Sequence, residues 1–335
     1  MKRIISLLLA LALSLSLAAC AAPAEKADGG KLQIVTTLFP YYDFARAIAQ
    51  DCADVTLLLS PGREAHSFEP TPLDAVTISE ADVFLYNGGE GEYWVESMLD
   101  AAGEHIAVAS RMMDYVDALN EEYVEGMQGA DGHDHDHEHG SHDDHDHDHE
   151  EDEHDSDEIE YDEHIWTSPK NAVVLCRAVC DAICRADAEN AAFYRANCDD
   201  YCAQLEDLDA RFAALCESAP RRLLIFADRF PMLYFCREYG LDYRAAFHGC
   251  SGDTEPSLAT IKFLIDKVED ENIPVVYTID FGTKKVAAVV SECTGAAIET
   301  LYSMQTVSRA DFDAGETYLT LMERNFEALR KGLNA

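Results

Sequence analysis

Positive charge is scarce in this chain. It has 25 Lys and Arg against 64 Asp and Glu in 335 residues, which gives a formal net charge of -39 at pH 7. A surface of that sign repels phosphates, so we expect no nucleic-acid partner. Nearly half of the imbalance is local, because Asp131 to Glu163 holds eighteen acidic residues and no basic one.

The chain also lacks several sequence patterns that would identify other classes of protein. After the first twenty residues, no apolar run is long enough for a transmembrane helix. The HExxH pattern of many zinc hydrolases is missing. The segment Asn87–Gly91 is rich in glycine but lacks GxGxxG spacing, and its Glu90 would repel a phosphate. We therefore predict that this segment is a turn between a strand and a helix. For the protein as a whole, we predict that it is not an enzyme.

Histidine, in contrast, is concentrated in one place. Nine of the thirteen histidines lie among acidic residues between Asp131 and Asp155. Imidazole is a favoured ligand for zinc, copper and nickel, and alternation with carboxylates offers several overlapping ligand sets. The tract indicates binding of a borderline divalent metal ion, and the alternative is a merely solvated acidic loop.

The N-terminus has the features of an export signal. A basic start, Met1–Arg3, is followed by an apolar run from Ile4 to Leu17 that is short for a membrane span and by Leu-Ala-Ala before Cys20. This leader resembles bacterial lipoprotein signals, which implies a signal peptide over 1–20, diacylglycerol on the sulfur of Cys20 and a flexible tether over 21–30. We expect an extracytoplasmic protein anchored by lipid to the bacterial cell membrane; an ordinary secreted cleavage site is the alternative.

Ten cysteines follow Cys20, an even number that permits disulfides in an exported protein. Their spacing favours a different interpretation, because five of them recur at every fourth residue on predicted helices, where cysteine is a small buried apolar residue. Inter-helix disulfides or an extra metal site remain open. The five are Cys176, Cys180, Cys184, Cys198 and Cys202.

Predicted strands and helices alternate along the chain, which favours parallel sheets. Strands over 32–37, 54–59 and 83–86 precede the acidic tract, and alternation resumes at Arg222 after two helical stretches. The predicted fold class is α/β, with two lobes containing parallel sheets that are joined by one long rigid helix. We predict an N-terminal lobe over 31–187 that contains the His/Asp-rich loop 131–155, a linking helix over 188–217 and a C-terminal lobe over 218–335.

Four polar residues stand in loops after predicted strands: His66, His164, Asp228 and Asp280. In open α/β sheets, ligands bind outside the carboxyl ends of the strands. Two imidazoles and two carboxylates that converge there would form a closed site for a divalent ion. Singly each residue is weak evidence, because a loop histidine is often only hydrogen-bonded and an aspartate after a strand is often a cap.

Two motifs around these residues resemble those of a known family. PGREAHSFEPTPLD, around His66, resembles PG-x-x-x-H-x-[FY]-E-P-[ST]-P-x-D, and DEHIWTSPKNA, around His164, is similar to DPH-x-W-x-x-P-x-N-A. Both patterns belong to the metal-binding class of ABC transporter solute-binding proteins, the zinc and manganese receptors. The resemblance runs from about Leu32 to Leu333. A His-rich insertion before the second motif is a mark of the zinc receptors in this family.

The resemblance implies a receptor that captures Zn(II) between its lobes and delivers it to a membrane permease with a cytoplasmic ATPase. It implies His66, His164 and Asp280 as metal ligands. The third ligand is normally a histidine or a glutamate, and here the matching segment Phe226–Pro231 contains neither. Asp228 is the best substitute there, and the next loop offers His248 or Cys250.

Several alternatives remain open. Mn(II) is the less favoured cargo, since the His tract suits zinc better. A metal store that relies on the loop, or an adhesin, would also fit a lipoprotein of this kind. Glu69 and Asp162 are expected to orient the imidazoles rather than bind the ion. We expect a monomer in which the loop collects ions beside His164.

Overall fold

The computed structural model describes residues 30–63, 68–103, 106–129, 160–249 and 255–334. The first lobe contains one sheet of four parallel strands in the order β2-β1-β3-β4. The central strands are covered on both faces, as parallel sheets require, and are therefore rich in buried apolar residues. The strands are β1 (Leu32–Thr36), β2 (Ala53–Leu57), β3 (Val83–Tyr86) and β4 (Val108–Arg111).

The second lobe repeats this arrangement with four parallel strands in the order β6-β5-β7-β8. In each sheet the second strand lies on one side of the first strand and the third strand lies on the other. The strand order therefore changes direction between β1 and β3, which creates a switch point at the carboxyl ends of these two strands. The equivalent point in the second sheet lies between its first and third strands. The strands are β5 (Leu223–Phe230), β6 (Asp242–His248), β7 (Val275–Ile279) and β8 (Ala297–Leu301).

Helices cover the sheets and connect the lobes. Among the described residues, none of them is long and apolar enough to cross a membrane. The helices are α1 (Phe39–Ala49), α2 (Pro72–Ser79), α3 (Trp94–Ala102), α4 (Pro169–Ala186), α5 (Ala191–Ser218), α6 (Leu233–Tyr239), α7 (Leu258–Asp270), α8 (Lys285–Thr294), α9 (Arg309–Asp313) and α10 (Tyr318–Leu333).

The start of α4 fixes the segment that carries His164. Ser168 caps the helix, since its hydroxyl accepts a hydrogen bond from the backbone N–H of Asn171, and Pro169 occupies the first turn. The side chain of Asn171 also donates to the carbonyl of Ile165 at 3.0 Å. The 3-10 turn Ile165–Thr167 is therefore attached to the helix, and His164 stands directly before it.

α4 and α5 form a helical hairpin between the lobes. The connection is short because the buried carboxylate of Asp187 accepts hydrogen bonds from Asn190 at 2.8 Å and from the hydroxyl of Tyr194 at 2.7 Å. One apolar cluster extends without interruption from β1 and α1 through this hairpin to β5, β7 and α10. Two smaller clusters lie in the individual lobes.

The predicted fold class is confirmed, with differences in detail. The linking helix runs from Ala191 to Ser218 rather than over 188–217, because the Asp187 turn occupies the first three predicted positions. β4, β6 and β8 were not predicted. All three are edge strands. β4 and β8 are partly exposed and therefore lack a continuous apolar run, which is the pattern that identifies a buried strand in a sequence.

Asp43 joins three helices in the core. Its carboxylate accepts hydrogen bonds from the hydroxyl of Tyr201 on α5 at 2.7 Å and from the backbone N–H of Tyr318 on α10 at 2.9 Å. Burial raises the pKa of Asp43, and these two hydrogen bonds oppose the rise. The position of α1 relative to the hairpin therefore depends on a buried polar contact as well as on apolar packing.

We expect Asp43→Ala to lower the free energy of unfolding by about 2–4 kcal/mol, because two buried donors lose their acceptor. Urea unfolding followed by circular dichroism measures the change. Asp51→Ala, at an exposed position just after the same helix, is the matched control and should stay within about 0.5 kcal/mol of the parent. Equal stability of the two variants would contradict the structural role of Asp43.

Candidate metal centre

A narrow cleft cavity opens at the carboxyl ends of β1, β2 and β3, at the switch point of the first sheet. Its wall combines apolar side chains with two buried carboxylates, Glu92 and Glu163. A concave site of this kind, with few polar groups, is the usual form of a ligand site. The lining residues are Thr37, Leu38, Leu59, Phe68, Asn87, Gly91, Glu92, Trp94, Glu163 and Gln305.

His164 is buried beside this cavity, and its ring orientation is fixed. Its backbone N–H donates to Asp162 Oδ1 at 2.7 Å, and its Nδ1 lies 3.0 Å from the same oxygen. Burial lowers the pKa of His164, but the charge and hydrogen bond of Asp162, together with Glu121 and Glu163, outweigh burial and raise it. A proton on Nδ1 leaves the Nε2 lone pair as the metal ligand, the arrangement typical of zinc-bound histidine.

His66 lies outside the described residues, but the residues on both sides of its loop make defined contacts. On one side, the N–H of Gly62 donates to the carbonyl of Val307 at 2.8 Å. On the other, Phe68 lines the cleft cavity and packs on Trp94, with ring centroids 5.4 Å apart. The loop is therefore attached to the second lobe before His66 and to the first lobe after it. Glu69, the next residue, is exposed.

Residues 303–307, here called the crossing segment, connect the surroundings of His164 to Asp280. The indole N–H of Trp166 donates to the carbonyl of Ser303 at 2.7 Å. The N–H of Ser303 donates to Asp280 Oδ1 at 3.1 Å. Ser303 therefore links the Trp166 turn to the carboxylate of Asp280 through two hydrogen bonds.

Asp280 directly follows β7, as predicted. Burial raises its pKa to about 6, although hydrogen bonds from Ser303 oppose the rise. A bound cation would stabilise the charged form of this partly buried carboxylate. Asp280 lines a second cavity, which shares no lining residue with the cleft cavity. The crossing segment reaches both: Gln305 lines the cleft cavity and Val307 lines the second one.

Asp228 lies elsewhere than the sequence predicts. It does not follow the strand Leu223–Phe226 but lies inside β5, past a register shift between Phe226 and Arg229. The apolar run that is visible in the sequence ends just before Asp228, but the backbone of β5 continues to pair with β6 beyond that residue. Its Oδ2 accepts hydrogen bonds from Thr278 Oγ1 at 2.6 Å and from the N–H of Ile279 at 3.3 Å, and its Oδ1 accepts from the N–H of Arg229 at 2.9 Å. The carboxylate therefore joins β5 to the end of β7.

Of the alternative third ligands, His248 is the last residue of β6, and Gly249 directly after it lies against the ring of His164. A methyl group added at Gly249 would lie 3.1 Å from Nδ1 and Cε1 of that ring. His248 itself contacts other groups, because its ring lies 5.1 Å from Tyr123 and its Nδ1 lies 3.7 Å from Glu121 Oε1. Cys250, which follows Gly249, lies outside the described residues.

The predicted ligands do not form a compact set within the described part of the chain. There, the one group of three or more metal-ligand side chains with atoms within 4.8 Å of one another consists of Cys176, Cys198 and Cys202. His164, Asp228 and Asp280 form no such group. With His66 undescribed, the four-residue site stays a prediction.

The sequence did not indicate the role of Glu92 and Glu163 in the cleft wall. Burial raises the pKa of Glu92 to about 7, and Glu92 accepts a hydrogen bond from the N–H of Gly88 at 2.8 Å. Glu163 accepts from the N–H of Gly91 at 2.7 Å, and burial raises its pKa also. The backbone of the glycine turn after β3 therefore holds two carboxylates at the cleft. The sequence feature that could have indicated Glu92 is the mixture of glycine and acidic residues over 87–92.

A comparison with known protein families matches residues 34–332 to the family model described as zinc-uptake complex component A, periplasmic (ZnuA). The chain belongs to this family. Proteins of the ZnuA family are solute-binding components of transport systems that work with an ABC permease and its ATPase, and their location is extracytoplasmic.

Individual relatives agree with this assignment. The high-affinity zinc uptake system protein ZnuA of Bacillus subtilis is 31% identical over 308 residues, 91% of this chain and 88% of that protein. The zinc-binding lipoprotein AdcA of Streptococcus pneumoniae is 30% identical over 99% of this chain, which spans only 61% of AdcA. The Zn(II)-bound structure of the ZnuA-like domain of that AdcA has a TM-score of 0.70 and 26% identity, and the match covers 91% of this chain and 100% of that one.

We expect Asp162→Ala to lower metal affinity about 10- to 100-fold, because the His164 ring loses the group that fixes its orientation. Asp162→Asn should lose less, since an amide oxygen still accepts from Nδ1–H. Isothermal titration calorimetry measures both. Asp117→Ala, at an exposed position in the same lobe, is the control, and an affinity of Asp162→Ala equal to that control would exclude the orienting role.

Proposed function

We propose that this chain is the extracytoplasmic solute-binding component of a zinc ABC importer. It captures Zn(II) in the cleft between the lobes and delivers it to a membrane permease that is driven by an ATPase. The observation that carries the proposal is the His164–Asp162 pair: a buried imidazole, held through Nδ1, in a chain that matches the zinc-uptake family over residues 34–332.

The donor set fits zinc as cargo. Imidazole nitrogen and carboxylate oxygen are both zinc ligands, and His66, His164 and Asp280 supply them from three loops. Glu92 and Glu163, whose pKa values are raised by burial, would add negative charge near the bound cation when they lose their protons. Neutral imidazoles and ionised carboxylates replace the water around the ion, and no covalent bond is broken, so the protein acts by binding alone and not as an enzyme.

The remaining segments have supporting roles in this proposal. Lipid on Cys20 would hold the receptor at the membrane surface near its permease. The loop 131–155 would collect ions through many weak, exchanging sites and raise their concentration beside His164. The receptor would work as a monomer, because each copy contains a complete cleft.

We expect the parent protein to bind one Zn(II) tightly in calorimetric titration. His66→Ala or His164→Ala should lower that affinity by more than about 100-fold, because loss of a residue that only orients a ligand already costs about 10- to 100-fold. Deletion of 131–155 is the control: it should remove weak equivalents and leave the tight one. Loss of all binding on that deletion would instead indicate a storage protein.

The acidic ligands can be separated by isosteric changes. We expect Asp280→Asn to weaken zinc binding more than Asp228→Asn, because the Asp228 carboxylate already accepts three hydrogen bonds that hold β5 to β7. Calorimetric titration of His248→Ala and Cys250→Ala with Zn(II) completes the comparison. The variant whose loss of zinc affinity approaches that of His164→Ala identifies the third ligand. A larger loss for Asp228→Asn than for Asp280→Asn would restore Asp228 as that ligand.

The physiological cargo needs a separate measurement, because zinc binds more tightly than manganese to almost any such site. Metal analysis of protein purified from its native host should find zinc. Manganese in that preparation would make the protein a manganese receptor of the same family.

A further inference from the structure

A second group of metal-ligand side chains lies away from the cleft, between α4 and α5. Cys176, Cys180 and Cys184 follow one another at every fourth residue on α4 and so share one face of that helix. Cys198 and Cys202 do the same on α5. All five are buried and free, and the two faces meet within the helical hairpin.

The sulfur atoms have the spacing of a thiolate site rather than that of a disulfide. The atoms of Cys176, Cys198 and Cys202 all lie within 4.8 Å of one another, and the Sγ atoms of Cys198 and Cys202 are 3.8 Å apart. Tetrahedral zinc, with Zn–S bonds of about 2.3 Å, places its sulfur ligands about 3.8 Å from one another. A disulfide needs about 2.05 Å.

The thiols of the cluster are close enough to hydrogen-bond to one another. The pKa of Cys198 is lowered, because the neighbouring thiols of Cys176, Cys180 and Cys202 donate hydrogen bonds to its sulfur. The pKa of Cys176 is raised by its hydrogen bonds to Cys198 and Cys202 and by burial. Cys180 also hydrogen-bonds to Cys198, so its sulfur is placed to be a fourth ligand.

The cluster has both an entrance and nearby positive charge. A cavity reaches Cys180 and Cys198, and its wall contains two guanidinium groups, Arg177 and Arg195, together with the carboxylates of Asp181 and Asp199. Arg177 interacts with the sulfurs of Cys202 and Cys198 and is also paired with Asp199 at 3.4 Å. Positive charge at this place would offset the negative charge of a metal ion bound by several thiolates.

We propose that Cys176, Cys198 and Cys202, with Cys180 as the fourth ligand, form a second metal site for a thiophilic d10 ion such as Zn(II) or Cu(I). Each thiol that binds the ion loses its proton to solvent, and no oxidant or reductant takes part. Because the site joins α4 to α5, the bound ion would stabilise the helical hairpin that connects the lobes. The site shares no residue with the cleft, so it does not depend on the proposed transport function.

Co(II) serves as the spectroscopic probe for this site. The full chain carrying His66→Ala and His164→Ala, kept reduced and free of oxygen, is titrated with Co(II), and thiolate-to-cobalt charge-transfer absorption is recorded. Imidazole and carboxylate ligands give no such absorption, so the loop 131–155 does not contribute to the signal. We expect the band to appear, to saturate at one equivalent and to disappear when Zn(II) displaces the cobalt.

The ligand assignment is tested by single changes, which disturb the core least. Cys198→Ala and Cys202→Ala should lose the band, whereas Cys216→Ala, a buried cysteine of α5 outside the cluster, should keep it. Thermal unfolding gives a second measurement: Zn(II) should raise the midpoint of the His66→Ala/His164→Ala protein and raise it less once Cys202 is also replaced. That comparison remains informative if a variant is less stable.

Three results would overturn the proposal. The first is the absence of a charge-transfer band in the reduced, folded protein, which would mean that the cysteines only pack the core. The second is a band that persists in Cys198→Ala and Cys202→Ala. The third is the detection of a disulfide between the α4 and α5 cysteines in protein isolated without reductant. None of these results bears on tight zinc binding at the cleft, which the histidine variants test separately.

Discussion

The hydrogen bond from the indole of Trp166 to the carbonyl of Ser303 is the contact on which the candidate site depends. On one side of it, the 3-10 turn presents His164; on the other, the N–H of Ser303 reaches Asp280. Trp166 and its partners are buried, so water cannot substitute for either bond at no cost. The two lobes thus place an imidazole and a carboxylate through a single residue of the crossing segment.

This contact acts within a continuous core. The hairpin of α4 and α5 packs against both lobes, Asp187 accepts hydrogen bonds at its connecting turn, and Asp43 accepts one from Tyr201 within α5. A core shared by two lobes resists large rotation between them, because interior packing is close to that of a crystal. A metal ion in the proposed cysteine site would add a further link within this hairpin.

Much of the fold followed from the sequence, and the reasons for success and failure are physical. Central strands such as β1 and β7 are buried on both faces and leave long apolar runs, so they were predicted well. Of the four edge strands, β2 was predicted, whereas β4, β6 and β8 leave weak patterns and were missed. Asp228 illustrates the second limit: backbone pairing carried β5 three residues past its last apolar run, and this placed the carboxylate against β7.

The sequence alone determined the chemistry and the family resemblance, because ligand types and motif spacing are local properties of the chain. It identified His164, its neighbour Asp162 and the metal preference expected of the tract 131–155. Only the tertiary structure decided which oxygen holds the His164 ring, that Asp228 is engaged in joining two strands, and that cysteines from two helices lie together. Those facts depend on contacts between residues distant in sequence, and such contacts arise only when the core is packed.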